Sequence, residues 1–377
     1  MKKKFEGKIY PQTTGEAART REAGRAGKTW EARETGEIGK IVKNEETVNM
    51  LEPGERIPLP EQVQMLMSLP EGWNERTKEN PWLNSGILDA ARHSDTAFSL
   101  VTHPAYCCCE YQRALNVFTF GRLKWEIRFT VIAPPLSVDE CGFTGDPAAL
   151  IADYKRRKGL FLMLNLHPDT VLPPDIALGA TLPAALFDNR FDSFEDYLQS
   201  LRSPYRRRLL QARHKAASLR WEEIDGRDFD ETLHRLYLNV LHRSKYPLET
   251  LKTGFFQTIQ GRIEVLFNGA QPVAFVLIKR QKEALHFLFG GMDYAKRDEF
   301  DLYYNMLLRI LEIGIAERVR VVDFGQTAES SKGRIGCRLE RRGMAFFSGN
   351  RVISLLVRLF SKALSYSATR EPFHIFK

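Results

Sequence analysis

The chain has 377 residues, 43% of them hydrophobic and 27% charged, with a formal net charge of +8. That length suits two domains better than one core, and the balance excludes a disordered or fibrous chain. The moderate positive charge suits anionic partners such as nucleotides, acyl carriers, RNA or an anionic membrane surface, without choosing among them.

No apolar stretch approaches the roughly 18 residues that a bilayer span needs. The start, Met1-Lys2-Lys3-Lys4, is charged but no apolar segment follows it, so a secretory signal is not expected. Five cysteines, with Cys107, Cys108 and Cys109 adjacent, make a poor disulfide framework and point to a reducing cytoplasm.

Residues 1–84 read as a poorly structured arm. The stretch 13–46 has almost no large apolar residues, and prolines at 53, 58, 60, 70 and 81 interrupt the rest, apart from a short helix near 62–69. From 85 the pattern becomes mixed α/β. A short helix over 85–93 precedes strand-like runs at 96–102, 105–112, 114–120 and 127–133. A helix over 146–158 carries Pro147 near its start, and Leu160–Leu166 is a short apolar strand that closes a first lobe, 85–190.

After a proline-containing crossover at 168–188, Ser193 is placed to cap a helix over 194–201, with Glu195 and Asp196 in its first turn. A longer helix starts at Ser203-Pro204 and runs to about 219. The second lobe, 191–377, continues with a strand at 219–224, helices at 229–243 and 250–260, and strands at 262–267, 272–279 and 284–290. A long amphipathic helix over Leu302–Ala316, a strand at 320–324, a polar loop at 325–333, a strand at 344–347 and a helix at 352–364 complete it. The two halves share strands, a helix and a further strand, which reads as a loosely duplicated lobe.

The run His286-Phe287-Leu288-Phe289-Gly290-Gly291-Met292-Asp293, the helix Leu302–Ala316, and Asp323-Phe324-Gly325 followed by Lys332 resemble the C-terminal domain of the FemAB-like branch of the GNAT acyltransferase superfamily. Phe194-Glu195-Asp196-Tyr197-Leu198 and Tyr205-Arg206-Arg207-Arg208 are similar to that family's interlobe helix pair. The resemblance covers roughly 190–350. It implies two GNAT-like lobes, the first degenerate. It also implies an acyl donor lined by the strand before the long helix, and a segment carrying Asp323 and Lys332 that enters the site. Where family members often have Pro-Gly before the long helix, this chain has Asp301-Leu302, and no glycine-rich pyrophosphate loop lies between Gly291 and Tyr303.

Acyl transfer to an amine needs a neutral nucleophile, a carbonyl held close to it, and stabilisation of the developing oxyanion. Lys332 is expected to supply the last, as a cation on a polar loop after a buried strand, with Asp323 orienting it or accepting a proton. Tyr303 is expected to protonate a leaving group, while Gln326, Thr327 and Ser330 donate hydrogen bonds. Each also has a plain structural reading: solvated lysine, strand cap, core tyrosine, turn residues. His286, mid-strand among apolar neighbours, reads as a hydrogen-bonded core histidine.

Between Tyr197 and Trp221 there is no acidic residue, while Arg206, Arg207 and Arg213 recur around a helix with a buried stripe. Such a run points to an anion, here the donor, against the alternative of a solvated basic face. No CxxC or HExxH spacing supports a metal, and Gly27-Lys28-Thr29 lacks the first glycine of a phosphate loop.

The expected function is therefore an N-acyltransferase with no permanently bound cofactor, using acyl-CoA or another acyl carrier as co-substrate. The acceptor is an amine-bearing small molecule or peptide, and DNA is not expected. The alternatives are aminoacyl-tRNA as donor, or a non-catalytic RNA- or anion-binding protein on the same scaffold. The last helix leaves a peripheral membrane contact open.

Overall fold

The computed structural model describes residues 69–116, 125–244, 248–367 and 373–377. All lie in the second of two units into which the chain divides, Gln64–Lys377. The expected stretch 13–46 and all but the last residue of the expected helix at 62–69 lie outside the described residues.

In chain order the elements are α1 (Trp73–Arg76), α2 (Ser85–Ala91), β1 (Phe98–His103), β2 (Tyr106–Asn116), β3 (Glu126–Ile132), β4 (Phe143–Gly145), α3 (Pro147–Tyr154), β5 (Leu160–Leu166), β6 (Ala177–Ala180) and β7 (Ala184–Asp188). Then come α4 (Phe194–Ser200), α5 (Ser203–Lys215), β8 (Arg220–Ile224), α6 (Glu231–Leu241), α7 (Thr253–Thr258), β9 (Arg262–Asn268), β10 (Gln271–Gln281) and β11 (Ala284–Met292). The chain ends with α8 (Leu302–Ala316), β12 (Val321–Asp323), α9 (Glu329–Gly333), β13 (Arg338–Glu340), β14 (Gly343–Ser348) and α10 (Arg351–Leu364).

The helix starts follow local chemistry. Ser193 accepts a hydrogen bond from Asp196 N at the head of α4, as its position in the sequence implied. Asp146 accepts from Ala148 N ahead of Pro147, and Asp230 accepts from Thr232 N and Leu233 N.

Two mixed sheets result. The first runs β1-β2-β3-β5-β14-β6 with β4 on β2, and the second runs β13-β7-β12-β11-β10-β9-β8. Among the described residues the parallel pairs are β3 with β5 and β11 with β12. Each follows antiparallel strands and a helix, β1-β2-β3 then α3 in one sheet and β9-β10-β11 then α8 in the other, so the duplication expected from the sequence is one of topology. The lobes also exchange strands. β7 precedes the expected boundary at 190 yet pairs with β12 and β13, while β14 returns from the C-terminal end to lie between β5 and β6.

Three apolar clusters hold these layers. One lies between the sheets, joining Phe129 and Val131 of β3 to Val265, Phe275 and Leu277 of the second sheet. It also buries Trp73, Trp82 and Leu83, so residues 69–84 belong to the core and not to the arm expected over 1–84. The second cluster packs α4, α5 and α8 on the outer face of the second sheet, and the third packs α3 on the outer face of the first. Cys107 and Cys109 face the inner cluster and Cys108 the outer one, the alternation a strand imposes.

Candidate active site

The parallel ladder between β11 and β12 is only three residues long and ends at the pair His286–Asp323. Beyond it β12 stops, and among the described residues no strand partner continues along that edge of β11 from Phe287 onward. β11 also carries a bulge, because Leu277 pairs with Phe289 and Ile278 with Phe287, leaving Leu288 as the extra residue. The two strands therefore part at His286 and Asp323 and leave main-chain donors and acceptors of β11 open to a ligand.

Alternation along the strands sets which face each side chain takes. Leu285 and Val322 pack in the cluster beneath α8, so His286 and Asp323, next in sequence, point to the opposite face, toward the first sheet. There His286 Nδ1 lies 3.1 Å from Asp323 Oδ2, and the ring meets Trp82 edge-on with centroids 5.0 Å apart. Asp323 Oδ1 accepts from Gly325 N at 2.7 Å, a contact made possible by the left-handed conformation of Gly325 (φ 64°). Among the described residues His286 Nε2 has no hydrogen-bond partner. The core histidine expected from the sequence is hydrogen-bonded as expected, but to a buried carboxylate.

The first lobe answers with a second carboxyl. Asp139, in the loop after β3, is 3% exposed and is held by Arg342, whose Nη2 donates to Oδ2 at 2.9 Å and whose Nε donates to the Asp139 carbonyl at 2.8 Å. Burial and the charge of Asp323 raise the Asp139 carboxyl well above its usual range, and Arg342 offsets this only in part. Burial also acts to raise Asp323, but the hydrogen bond and charge of His286 and the Gly325 N–H outweigh it and hold that carboxyl low. The two carboxyls are thus pushed in opposite directions, Asp139 up and Asp323, which faces His286, down.

Gln326 closes the junction. Its Nε2 donates across to Asn165 Oδ1 (2.9 Å) and to the Leu182 carbonyl (2.6 Å), and Asn165 Nδ2 donates to the Val138 carbonyl (2.7 Å). Asp139, Asn165, His286, Asp323, Gln326 and Arg342 therefore form one polar cluster between the lobes, where β11 and β12 part. Of the residues singled out from the sequence, Asp323 and Gln326 belong to it. Asp139, Asn165 and Arg342 carried no sequence signal, since each acquires its meaning from a partner more than a hundred residues away or from burial.

Lys332 sits behind this cluster in a role other than the one expected. It is 3% exposed, on the short helix α9 within the expected polar loop, and its Nζ donates to the carbonyls of Phe324 (2.6 Å), Gly325 (3.1 Å) and Gln326 (2.6 Å). All three ammonium donors are thus used on its own loop, and none is aimed at an incoming oxyanion. Burial pushes the amine down to about 8. Thr327, with φ 64°, is exposed, and Ser330 lies on α9. Tyr303 packs with the cluster beneath α8, on the sheet face away from His286, where burial raises its hydroxyl.

On that outer face α5 lies along α8. Arg208 clamps Asp301 with two hydrogen bonds (3.0 and 2.8 Å), Lys215 approaches the same carboxylate at 3.3 Å, and Arg213 pairs with Glu312 at 3.0 Å. Asp301, in the left-handed region, stands at the N-terminus of α8 without capping it. Arg206 and Arg207 have no such partner among the described residues. With Ser203, Leu210, Gln211 and His214 they line an open depression of about 540 Å³.

These features define a two-lobed mixed α/β fold whose polar centre lies where a parallel strand pair opens. No protein-family model matches the sequence, and no curated protein matches it. Solved structures with a similar fold include FemX, at 10% identity and TM-score 0.47, covering 78% of this chain and 99% of that one. L-PGS from Bacillus licheniformis aligns at 13% identity and TM-score 0.46, over 82% of this chain and 98% of its own. A conserved protein of unknown function from Bacteroides thetaiotaomicron aligns at 12% and 0.46, over 79% and 100%. At these identities and TM-scores the likeness carries no argument about chemistry.

Proposed function

We propose that this chain transfers an activated acyl group to an amine, with His286 as the general base at the opening of β11 and β12. The observation that carries the reading is a buried carboxylate on His286 Nδ1, opposite a ring nitrogen without a partner, at the point where two parallel strands separate. Asp323 fixes the tautomer with its proton on Nδ1 and stabilises the imidazolium that forms when Nε2 accepts a proton.

The acceptor nitrogen adds to the donor carbonyl carbon as Nε2 takes its proton, and the carbonyl electron pair moves to oxygen. Main-chain N–H groups on the free edge of β11 past His286 are the candidates to bind that oxyanion. Collapse of the intermediate expels the leaving group, a thiolate or a hydroxyl oxygen, which takes the proton back from the imidazolium.

Two donor classes fit this step, the thioester of CoA or a carrier protein and the ester of an aminoacyl-tRNA. The favoured thioester reading places the donor's phosphates on α5 at Arg206 and Arg207. One observation favours the tRNA reading: at the start of α8 Arg208 and Lys215 are already engaged by Asp301, while Arg206 and Arg207, without such a partner among the described residues, lie along α5 where they suit a longer phosphate chain.

The test follows thiol release from acyl-CoA, and loss of labelled amino acid from charged tRNA, each with an amine acceptor present. His286→Gln is expected to lower turnover by about two to four orders of magnitude with donor affinity little changed. Asp323→Asn should follow it, and turnover within about threefold of the parent in both variants removes the assignment.

A further inference from the structure

The helix α10 turns an apolar stripe to solvent. Val352, Leu355, Leu356 and Leu359, at the i, i+3, i+4, i+7 spacing of one helix face, are 65, 57, 49 and 69% exposed, whereas Ile353 and Val357 are half-buried on the other side, which packs on β6 and β14. Both ends of the helix are tied down. Asn350 Oδ1 accepts from Val352 N at its start (2.9 Å), and just past its end Tyr366 N donates to the Ala180 carbonyl (2.8 Å). The outward stripe thus belongs to an anchored helix.

Its surroundings are basic. Arg351 and Arg358 recur at i and i+7, which sets them in one row along the edge of the stripe, and the helix sequence contains no acidic residue. The turn Lys155-Arg156-Arg157-Lys158 abuts the helix start. Ser348 Oγ donates to the Gly159 carbonyl at 2.7 Å, and a Cβ at Gly349 would lie 2.4 Å from the Lys155 carbonyl oxygen. Lys155 is paired with Asp175 and Arg157 with Asp153, while Arg156 and Lys158 are exposed.

From this juxtaposition we infer that α10 docks the protein on an anionic lipid surface, with Val352, Leu355, Leu356 and Leu359 entering the headgroup boundary and the basic row meeting lipid phosphates. An apolar stripe edged by cations is complementary to that surface on both counts. A second copy of the same face would set like-charged rows against each other, with no acid on the helix to relieve them. Fourteen residues rise only about 21 Å, less than the roughly 30 Å hydrocarbon core, so the helix lies in the plane of the surface.

The inference is independent of the transfer reaction and is tested by binding alone. The full chain is floated with vesicles of phosphatidylcholine, with and without phosphatidylglycerol. Binding to the anionic vesicles only, weakening as salt rises, is the expected result. Replacing both Leu355→Ser and Leu359→Ser should weaken it by about tenfold or more, since two buried leucines are lost from the contact. Arg351→Gln with Lys158→Gln, both exposed, should also cost about tenfold. Both leucines are exposed, so the fold should persist, and near-ultraviolet circular dichroism checks that it does. Equal flotation with neutral and anionic vesicles, or variants that bind like the parent, overturns the inference. So does a dimer seen by sedimentation velocity that the leucine substitutions dissociate without any vesicle binding, which assigns the face to a second copy.

Discussion

Lys332 shows how much a single residue's meaning depends on what its donors reach. Its position in the sequence, a cation after a strand ending in Asp-Phe-Gly, admits either an ammonium aimed at substrate or one turned back on its loop. In the structure it turns back, holding three consecutive carbonyls and so fixing the turn from which Gly325 N–H reaches Asp323. Lys332→Met leaves three carbonyls short of a donor in the interior. Each costs about 1–3 kcal/mol, so thermal denaturation should show a loss of several degrees together with lost activity. Lys296→Met, which removes an exposed ion pair with Glu299, should change neither. A Lys332→Met protein that melts like the parent but has lost turnover would return the ammonium to the chemistry.

At the scale of the element, α5 was legible in outline: a helix after Ser-Pro, basic on the outside, with one buried stripe. What the sequence could not sort was which arginines are engaged. Arg208 and Arg213 are taken by Asp301 and Glu312, and Arg213 also lies 4.9 Å over the Phe194 ring, whereas Arg206 and Arg207 face the open depression. Arg206→Gln with Arg207→Gln should weaken binding of a polyphosphate or RNA probe by about tenfold and flatten its salt dependence, as loss of phosphate contacts requires. Arg213→Gln should leave that slope alone. An identical slope in all three proteins makes α5 a solvated basic face.

At the scale of the molecule, the two sheets are joined by more than apolar packing. Glu249, in the segment between α6 and α7, is 4% exposed and accepts from Ser137 N (2.8 Å) and Ser137 Oγ (2.7 Å) in the loop that carries Asp139. Burial raises its carboxyl to about 7, with the Ser137 hydrogen bonds opposing the shift. A raised carboxyl means that the folded state holds the proton more tightly than the unfolded chain. The resulting stability is fully present below the unfolded value near 4.5 and is lost as pH rises through about 7. At about 1.4 kcal/mol per pH unit the loss approaches about 3 kcal/mol, a fall in Tm of several degrees between pH 5 and 8. Glu249→Gln should shrink that fall, and His167 and Asp139, both raised, leave a remainder of the same sign. A pH dependence of Tm unaltered by the substitution rejects Glu249 as its source.

Local chemistry alone placed most elements. Leu302–Ala316 appeared from its apolar spacing with the bounds it has in the structure, Ser193 from its capping position, and β9, β10 and β11 from their residue types and turns. The strands β6, β7 and β13 were not legible, because short runs such as Ala184-Ala185-Leu186-Phe187 carry no period and become strands only by pairing with distant neighbours. The same holds for the site. Asp323 and Gln326 could be singled out because they follow a recognisable strand, and His286 because it interrupts one. Asp139, Asn165 and Arg342 are separated from them by up to two hundred residues and hold no local signal. Helices and the longer strands answer to interactions a few residues apart, which a sequence displays. The pairing of carboxyls, the direction of an ammonium and the choice of parting strands are settled by burial and long-range contact, which only the folded chain supplies.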